Sequence, residues 1–240
     1  MDGEQQLELD AVAAYDRVAP WFAPLQAARH AYCDAIDRLI AANLPAEARS
    51  ILDVGSGDGI RAEGMAGKLS ELVLLEPSAG MRRLMHSERE VWTSRIEELK
   101  AASRNFDVIT CLWNVLGHVP SQEKRVQALR NMRELLSSGG VLFLDVQNRY
   151  NARHYGALKT AARMVFDRIR PSQRNGDVTV RWPTERGPVS AYGHVFTRTE
   201  MISLFREADL TVKKSLIVDY ATGEICPSHF AGSLFFMLGR

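Results

Sequence analysis

Apolar residues along this chain follow two periods, and the changes from one to the other divide it into elements. Residues 141–146 (Val-Leu-Phe-Leu-Asp-Val) are almost continuously apolar. That is the pattern of a strand covered on both faces. Residues 106–112, Ser50–Val54 and Glu71–Leu75 carry the same signature, and residues 91–93 form a weaker one. Between them the period lengthens to that of a helix. Val126, Leu129, Met132 and Leu136 share one helical face behind Ser121 and Glu123, and Ser137-Ser138-Gly139-Gly140 is predicted to stop that helix. Shorter helices are predicted over 60–69 and 79–88. Upstream, a helical segment from Ala11 is broken by Pro20 and Pro24. A longer amphipathic helix follows over 25–42, with Ala28, Tyr32, Ala35, Ile36, Leu39 and Ile40 at helical spacing and Asn43 and Pro45 at its end. Downstream, 199–209 is predicted helical with Thr199 near its cap, and 210–218 and 233–238 are predicted strands.

Strand and helix alternate from Ser50 to Val146. This predicts an α/β fold with a Rossmann-like, doubly wound, mostly parallel sheet. The expected divisions are an N-terminal helical cap (1–45), a cofactor-binding core (46–147), a basic insertion after the fifth strand (148–198), and a closing helix and strand pair (199–240) with an antiparallel last strand.

The first strand runs into Gly55-Ser56-Gly57-Asp58-Gly59. Glycine lets a chain turn sharply and a ligand approach the main chain, and a helix N-terminus just beyond offers unpaired N–H groups. A dinucleotide site prefers glycine three positions after the second one, where this chain has Ile60. Glu76 ends the second strand 19 residues after Gly57, the distance that brings a carboxylate to ribose hydroxyls. Its alternative role is an acid at the N-terminus of the next helix. Asp53 is expected to point at the pocket, or else to pin the glycine turn.

Composition narrows the picture a little further. The chain has 240 residues, 46% hydrophobic and 25% charged, with a net charge of +1. That is an ordinary globule, with no global signal for nucleic acid or membrane. Cys33, Cys111 and Cys226 are scattered, so free thiols in a reducing compartment are expected and no metal site is. The polar, acidic first ten residues do not form a signal peptide, and a cytoplasmic location is expected. The charge is unevenly spread. Residues 149–186 hold nine Arg or Lys and only three acids.

Leu52-Asp53-Val54-Gly55-Ser56-Gly57-Asp58-Gly59 resembles the first motif of class I S-adenosylmethionine-dependent methyltransferases. Leu74-Leu75-Glu76-Pro77-Ser78 with Met81 resembles their second motif. Phe106-Asp107-Val108-Ile109 with Val115-Leu116-Gly117-His118-Val119 resembles their fourth, and Leu135-Leu136 through Gly139-Gly140-Val141-Leu142 the helix–loop–strand after it. The resemblance covers about residues 11–147, and 192–239 more loosely. It implies S-adenosyl-L-methionine as cofactor. Gly55, Ser56 and Gly57 would lie against its methionine part, Asp53 would hold the ammonium, and Glu76 with Pro77 would meet the ribose. Met81 and Ile96 would pack on the adenine. In the segment Ser94-Arg95-Ile96-Glu97 many relatives carry an adenine-binding acid where this chain has Arg95, so adenine recognition falls to backbone groups or Ser94. Cys111, Leu112 and Trp113 would border the methyl group, unless the first two are plain core.

The implied reaction is methyl transfer to an O or N atom of a small, anionic or aromatic molecule. RNA or protein methylation, or cofactor binding without catalysis, are the alternatives, and a dehydrogenase is disfavoured by Ile60. His118, on the loop after the fourth strand, is the candidate general base, or else a structural histidine at the rim. His194 and His154 are weaker candidates. The basic insertion, with Tyr150, Tyr155, Phe166 and Trp182 among its charges, is read as a substrate lid or a solvated surface. Tyr15, Trp21, Phe22 and Tyr32 of the cap cover the opposite rim, where Arg29 is a candidate for the methionine carboxylate.

Overall fold

The computed structural model describes residues 9–240 except 28, 68, 87 and 100–103. Strands β1 (Ser50–Val54), β2 (Glu71–Leu75), β3 (Glu90–Trp92), β4 (Phe106–Cys111) and β5 (Leu136–Val146) are parallel neighbours. After the pair β6 (Asp177–Trp182) and β7 (Val189–His194), the chain returns to the main sheet as β8 (Thr211–Val218) and β9 (Ser233–Gly239). The seven-stranded order is β3-β2-β1-β4-β5-β9-β8, with β9 antiparallel to both neighbours. This is the predicted doubly wound sheet with an antiparallel end. The direction of chain order reverses between β1 and β4. Such a switch point opens a crevice at the carboxyl ends of the strands.

Alternation within each strand explains why both faces are dry. Ile51 faces a layer with Tyr32, Ile36 and Ile40, whereas Leu52 faces a layer with Leu129, Met132 and Phe205. The first layer is built by α3 (His30–Ala41) and α4 (Ile60–Ala66), the second by α6 (Gln122–Leu135) and α9 (Arg198–Glu207).

Several predicted boundaries move. The helix expected over 25–42 is two helices, α2 (Phe22–Ala27) and α3, while Ala28 lies outside the described residues. Pro24 sits in the first turn of α2, where the N–H it lacks has no helical partner to lose. Arg29 leaves the helix at φ −122° and ψ 11°. α4 stops at Ala66 against Gly67, whose φ is +46°. α5 (Ala79–Arg82) is a single turn, and tighter turns carry the chain on, with the amides of Leu84 and Met85 donating to the carbonyls of Met81 and Arg82. The residues Ser137 to Gly140 do not merely end α6. Leu136 already pairs with Phe106, and pairing resumes at Val141 opposite Val108, so 137–140 bulge from the strand. The cap of α9 is Thr197 rather than Thr199, closed by a reciprocal bond with Glu200.

Residues between β5 and α9 hold α7 (Ala152–Tyr155), α8 (Ala157–Ile169) and the β6–β7 hairpin. The first helix, α1 (Ala11–Val18), packs Ala14 and Val18 on Trp182 and Ala191 of that hairpin, and the Leu9 amide donates to the Ser190 carbonyl at 3.0 Å. Among the described residues no helix is long and apolar enough to cross a membrane.

Candidate active site

Gly55, Gly57 and Gly59 have φ of +76°, +61° and +77°. Three left-handed residues at alternate positions explain the spacing of the motif, since a side chain at any of them is strained. The turn is pinned from below. The Ser56 hydroxyl donates to the Asp53 carbonyl (2.8 Å), and the Leu75 amide donates back to that hydroxyl (3.1 Å). The Ser56 side chain also bonds the Asp53 carboxylate. That group accepts from Thr110 Oγ1 on β4 (2.5 Å), and burial pushes its pKa up.

Glu76 takes the alternative role, an acid at the start of the next helix, and also holds the glycine turn. One oxygen accepts from the Gly57 amide and the other from the Ser78 amide at the start of α5, both at 2.8 Å. It is buried, and burial pushes its carboxyl up to about 7 although these two backbone bonds pull it down. Ser78 in turn donates to Asp16 of α1 (2.7 Å), which also accepts from the Gly80 amide (2.7 Å). The cap helix is thereby tied to the corner that carries Glu76.

A cleft of about 750 Å³, partly open to solvent, lies above these residues. Its floor is Val54, Gly55, Gly57, Leu75, Glu76 and Pro77, one side is Arg95, Ile96 and Glu97, the other is Trp113, Val115, His118 and Val119, and its roof is Ala11, Val12 and Tyr15 with Phe22. A neighbouring recess adds Asp53, Ser56, Gln26, Arg61 and Leu112, and it shares Phe22, Gly55, Gly57 and Trp113 with the cleft. Nine of the twelve expected cofactor contacts reach this space. Asp53, Gly55, Ser56, Gly57, Glu76, Pro77, Arg95, Ile96 and Trp113 line the cleft or its recess. Ser94 and Cys111 do not, and Met81 supports the floor from behind, packed with Phe22 and Ala19. Cys111 is fully buried, and burial pushes its thiol well up. Arg95 is engaged with Asp10, while Glu97, two residues on, brings an acid to the cleft wall that the motif comparison missed.

The chain leaving β4 is strained. Trp113 and Asn114 are both left-handed, at φ +61° and +59°. The Asn114 side chain accepts from the Gln147 amide (3.0 Å) and donates to the His194 carbonyl (3.1 Å), and its own amide donates to Asp145 (3.3 Å). Asp145 also accepts from the Tyr32 hydroxyl (2.7 Å), and burial raises its carboxyl. No sequence motif marks Asp145 or Asn114. Their importance arises where four distant segments meet.

His118 faces the cleft. Its Nδ1 is 3.1 Å from the Tyr192 carbonyl, which can only accept, so Nδ1 carries the proton and Nε2 the lone pair. Nε2 lies 3.4 Å from the Tyr15 hydroxyl. Burial lowers the pKa of His118 and raises that of Tyr15 to about 12, so both are neutral near pH 7. Trp182 packs on both rings. His194 is elsewhere, fully buried between Asp177 and Glu200 at 2.8 Å each, and His154 is exposed against Tyr155. Arg29 does not line the cleft.

Residues 25–215 match the family model of a methyltransferase domain. The chain is 35% identical over 109 residues to a ubiquinone biosynthesis O-methyltransferase of Azoarcus sp. (strain BH72), covering 42% of this chain and 45% of that protein. It is 28% identical over 183 residues to a dTDP-4-amino-2,3,4,6-tetradeoxy-D-glucose N,N-dimethyltransferase of Saccharopolyspora spinosa, covering 72% of each. The fold resembles that of an S-adenosylmethionine-dependent methyltransferase from Clostridium acetobutylicum ATCC 824, with a TM-score of 0.66 at 14% identity over 94% of this chain and 98% of that one. The O-methyltransferase match thus spans under half the length of that relative.

Proposed function

The chain belongs to the methyltransferase-domain family, within the class I S-adenosylmethionine-dependent superfamily, and we propose that it methylates an O or N atom of a small molecule. The carrying observation is the Glu76 carboxylate, anchored by Gly57 and Ser78 and lining the cleft. The residues present fit S-adenosyl-L-methionine. A carboxylate with lone pairs to spare suits a ribose diol. Leu75, Ile96 and Val119 suit a flat purine, with Glu97 as acceptor for its amino group, and the recess with Asp53 suits an ammonium. When bound, the cofactor supplies an electrophilic methyl group on a sulfonium.

The protein's own part is to bind, orient and exclude water. The roof of Ala11, Val12 and Tyr15 covers the cleft, and the 148–198 segment acts as a lid by holding α1 down through its hairpin. His118, with its lone pair toward Tyr15, serves as base for a hydroxyl or ammonium acceptor, the proton passing by way of the Tyr15 hydroxyl. Two relatives support a small acceptor by what their names say they methylate: oxygen in ubiquinone biosynthesis, and nitrogen on a dTDP-amino sugar.

Calorimetry tests the reading. S-adenosylhomocysteine is expected to bind with a Kd on the order of micromolar. Glu76→Ala is expected to weaken it about tenfold to a hundredfold, the loss of hydrogen bonds to a charged group. A wild type that binds NAD and not S-adenosylhomocysteine would sink the proposal.

A further inference from the structure

Trp113 is a shared wall. On one side it lines the cleft and the recess of Asp53. On the other it lines a small chamber with Arg29, Asp145 and Tyr220, and a wider, more open one lies beside it at His154 and Tyr155. The two outer spaces share Arg29, Gln147, Tyr220 and Ser233 and so lie side by side. No Asp or Glu is among the described residues lining the wider one.

Arg29 dominates this space. Its guanidinium lies 5.1 Å from the Trp113 ring centre and 5.6 Å from that of Tyr220. Stacking of this kind engages the faces of the guanidinium and leaves its N–H edges free. Among the described residues Arg29 makes no ion pair. Asp145, the acid on the inner wall, is engaged with Tyr32 and Asn114 instead. A half-buried cation, held between two rings and facing a chamber of amides, phenols and one histidine, suits a planar anion gripped by two hydrogen bonds. It is also placed off the cofactor side of Trp113, away from the recess where the methionine carboxylate was expected.

We propose that the chamber beyond Trp113 is the methyl-acceptor chamber, and that Arg29 there holds an anionic group of the acceptor, a carboxylate or a phosphate. This rests on the reading of the chain as a methyltransferase. On this reading the anionic end of the acceptor lies at Arg29, and its reacting atom reaches past the edge of Trp113 into the cleft, where Tyr15 and His118 stand.

The full chain, saturated with S-adenosylhomocysteine, is titrated with benzoate, phenyl phosphate and neutral benzyl alcohol. At least one anion is expected to bind about tenfold or more tightly than the alcohol. Arg29→Gln is expected to abolish that preference and Arg29→Lys to retain part of it. Whichever anion leads identifies the acceptor's group as carboxylate or phosphate. A preference unchanged in Arg29→Gln overturns the assignment, and so does a wild type that binds neither anion better than the alcohol. S-adenosylhomocysteine and methylthioadenosine, which lacks the amino-acid part, are titrated first into both proteins. Equal affinities in wild type and Arg29→Gln support the proposal and show the variant folded. A loss confined to S-adenosylhomocysteine puts Arg29 on the cofactor carboxylate and overturns it. A wild type that binds no S-adenosylhomocysteine fails earlier, at the methyltransferase reading, and takes the acceptor assignment with it.

Discussion

Glu76 is pulled toward opposite protonation states by folding and by ligand. In the free protein burial favours the neutral acid and raises its pKa from 4.5 to about 7. Its contribution to folded stability is therefore full below about pH 4.5 and is lost as pH rises through about 7. Ribose hydroxyls donate to the ionised form, so the cofactor favours the charge that burial resists. Affinity for S-adenosylhomocysteine is expected to rise across pH 6 to 8 with its midpoint near 7, and binding below that midpoint is expected to release a proton. Calorimetry in buffers of different ionisation enthalpy reads both, and Glu76→Gln is expected to give a flat profile. A wild-type profile as flat as the variant's contradicts the assignment. This residue was legible in the sequence because one distance, from Gly57 to the next strand end, places it. Asp16, Glu97 and Asp145 were not legible as site residues. Each reaches its place through a helix docking or a strand crossing that no local spacing encodes, and Arg95 stood in the position where an acid was sought.

At the scale of elements, α1 is the part expected to decide how long a ligand stays. It supplies the roof and is clamped on two sides, by Asp16 to the Ser78–Gly80 corner and by Ala14 and Val18 to the β6–β7 hairpin. A Cβ on Gly80 would lie 2.7 Å from the Asp16 Cα, so that glycine is what admits the helix. Both Asp16→Ala and Gly80→Ala are expected to raise the dissociation rate of S-adenosylhomocysteine about tenfold, with little change in the association rate, because contacts that form after encounter act mainly on release. Stopped-flow displacement checks this; rates equal to wild type would leave α1 a mere neighbour of the site. The central strands were readable because both their faces are buried, which makes them continuously apolar. The break at Arg29 and the early start of β5 were not. A helical pattern runs unbroken across 25–42, and the Leu136–Phe106 pairing depends on tertiary contact that overrides the glycine stop signal.

Across the whole molecule, the positive charge of 149–186 is partly paired with acids. Arg149 bonds both oxygens of Asp167 at 2.6 and 2.8 Å, Arg153 pairs with Asp219 at 2.8 Å, and Arg174 faces Asp177 at 3.5 Å. Of these pairs Arg153–Asp219 ties the segment to the closing part of the chain, and a deeper tie is His194. That ring joins Asp177 of the hairpin to Glu200 of α9, while Arg125, fully buried in α6, donates to the Tyr192 hydroxyl, which donates to Asp177 at 2.8 Å. Burial raises the Asp177 carboxyl, but bonds from His194 and Tyr192 and the charge of Arg125 outweigh it and hold the pKa down. Its stabilising contribution is accordingly present above pH 3.8 and lost as acid protonates it. His194→Ala leaves two carboxylates facing a gap and is expected to cost about 2–4 kcal/mol in urea unfolding. The damage reaches the active site by a defined route. The Tyr192 carbonyl fixes the His118 tautomer and the His194 carbonyl holds Asn114, so a shifted hairpin frees His118 and the loop beside Trp113 together. Methyl transfer is then expected to fall more than S-adenosylhomocysteine affinity does, since Glu76 and the glycine turn stand on strands that the hairpin does not touch. Equal losses in both would mean that the network serves stability alone.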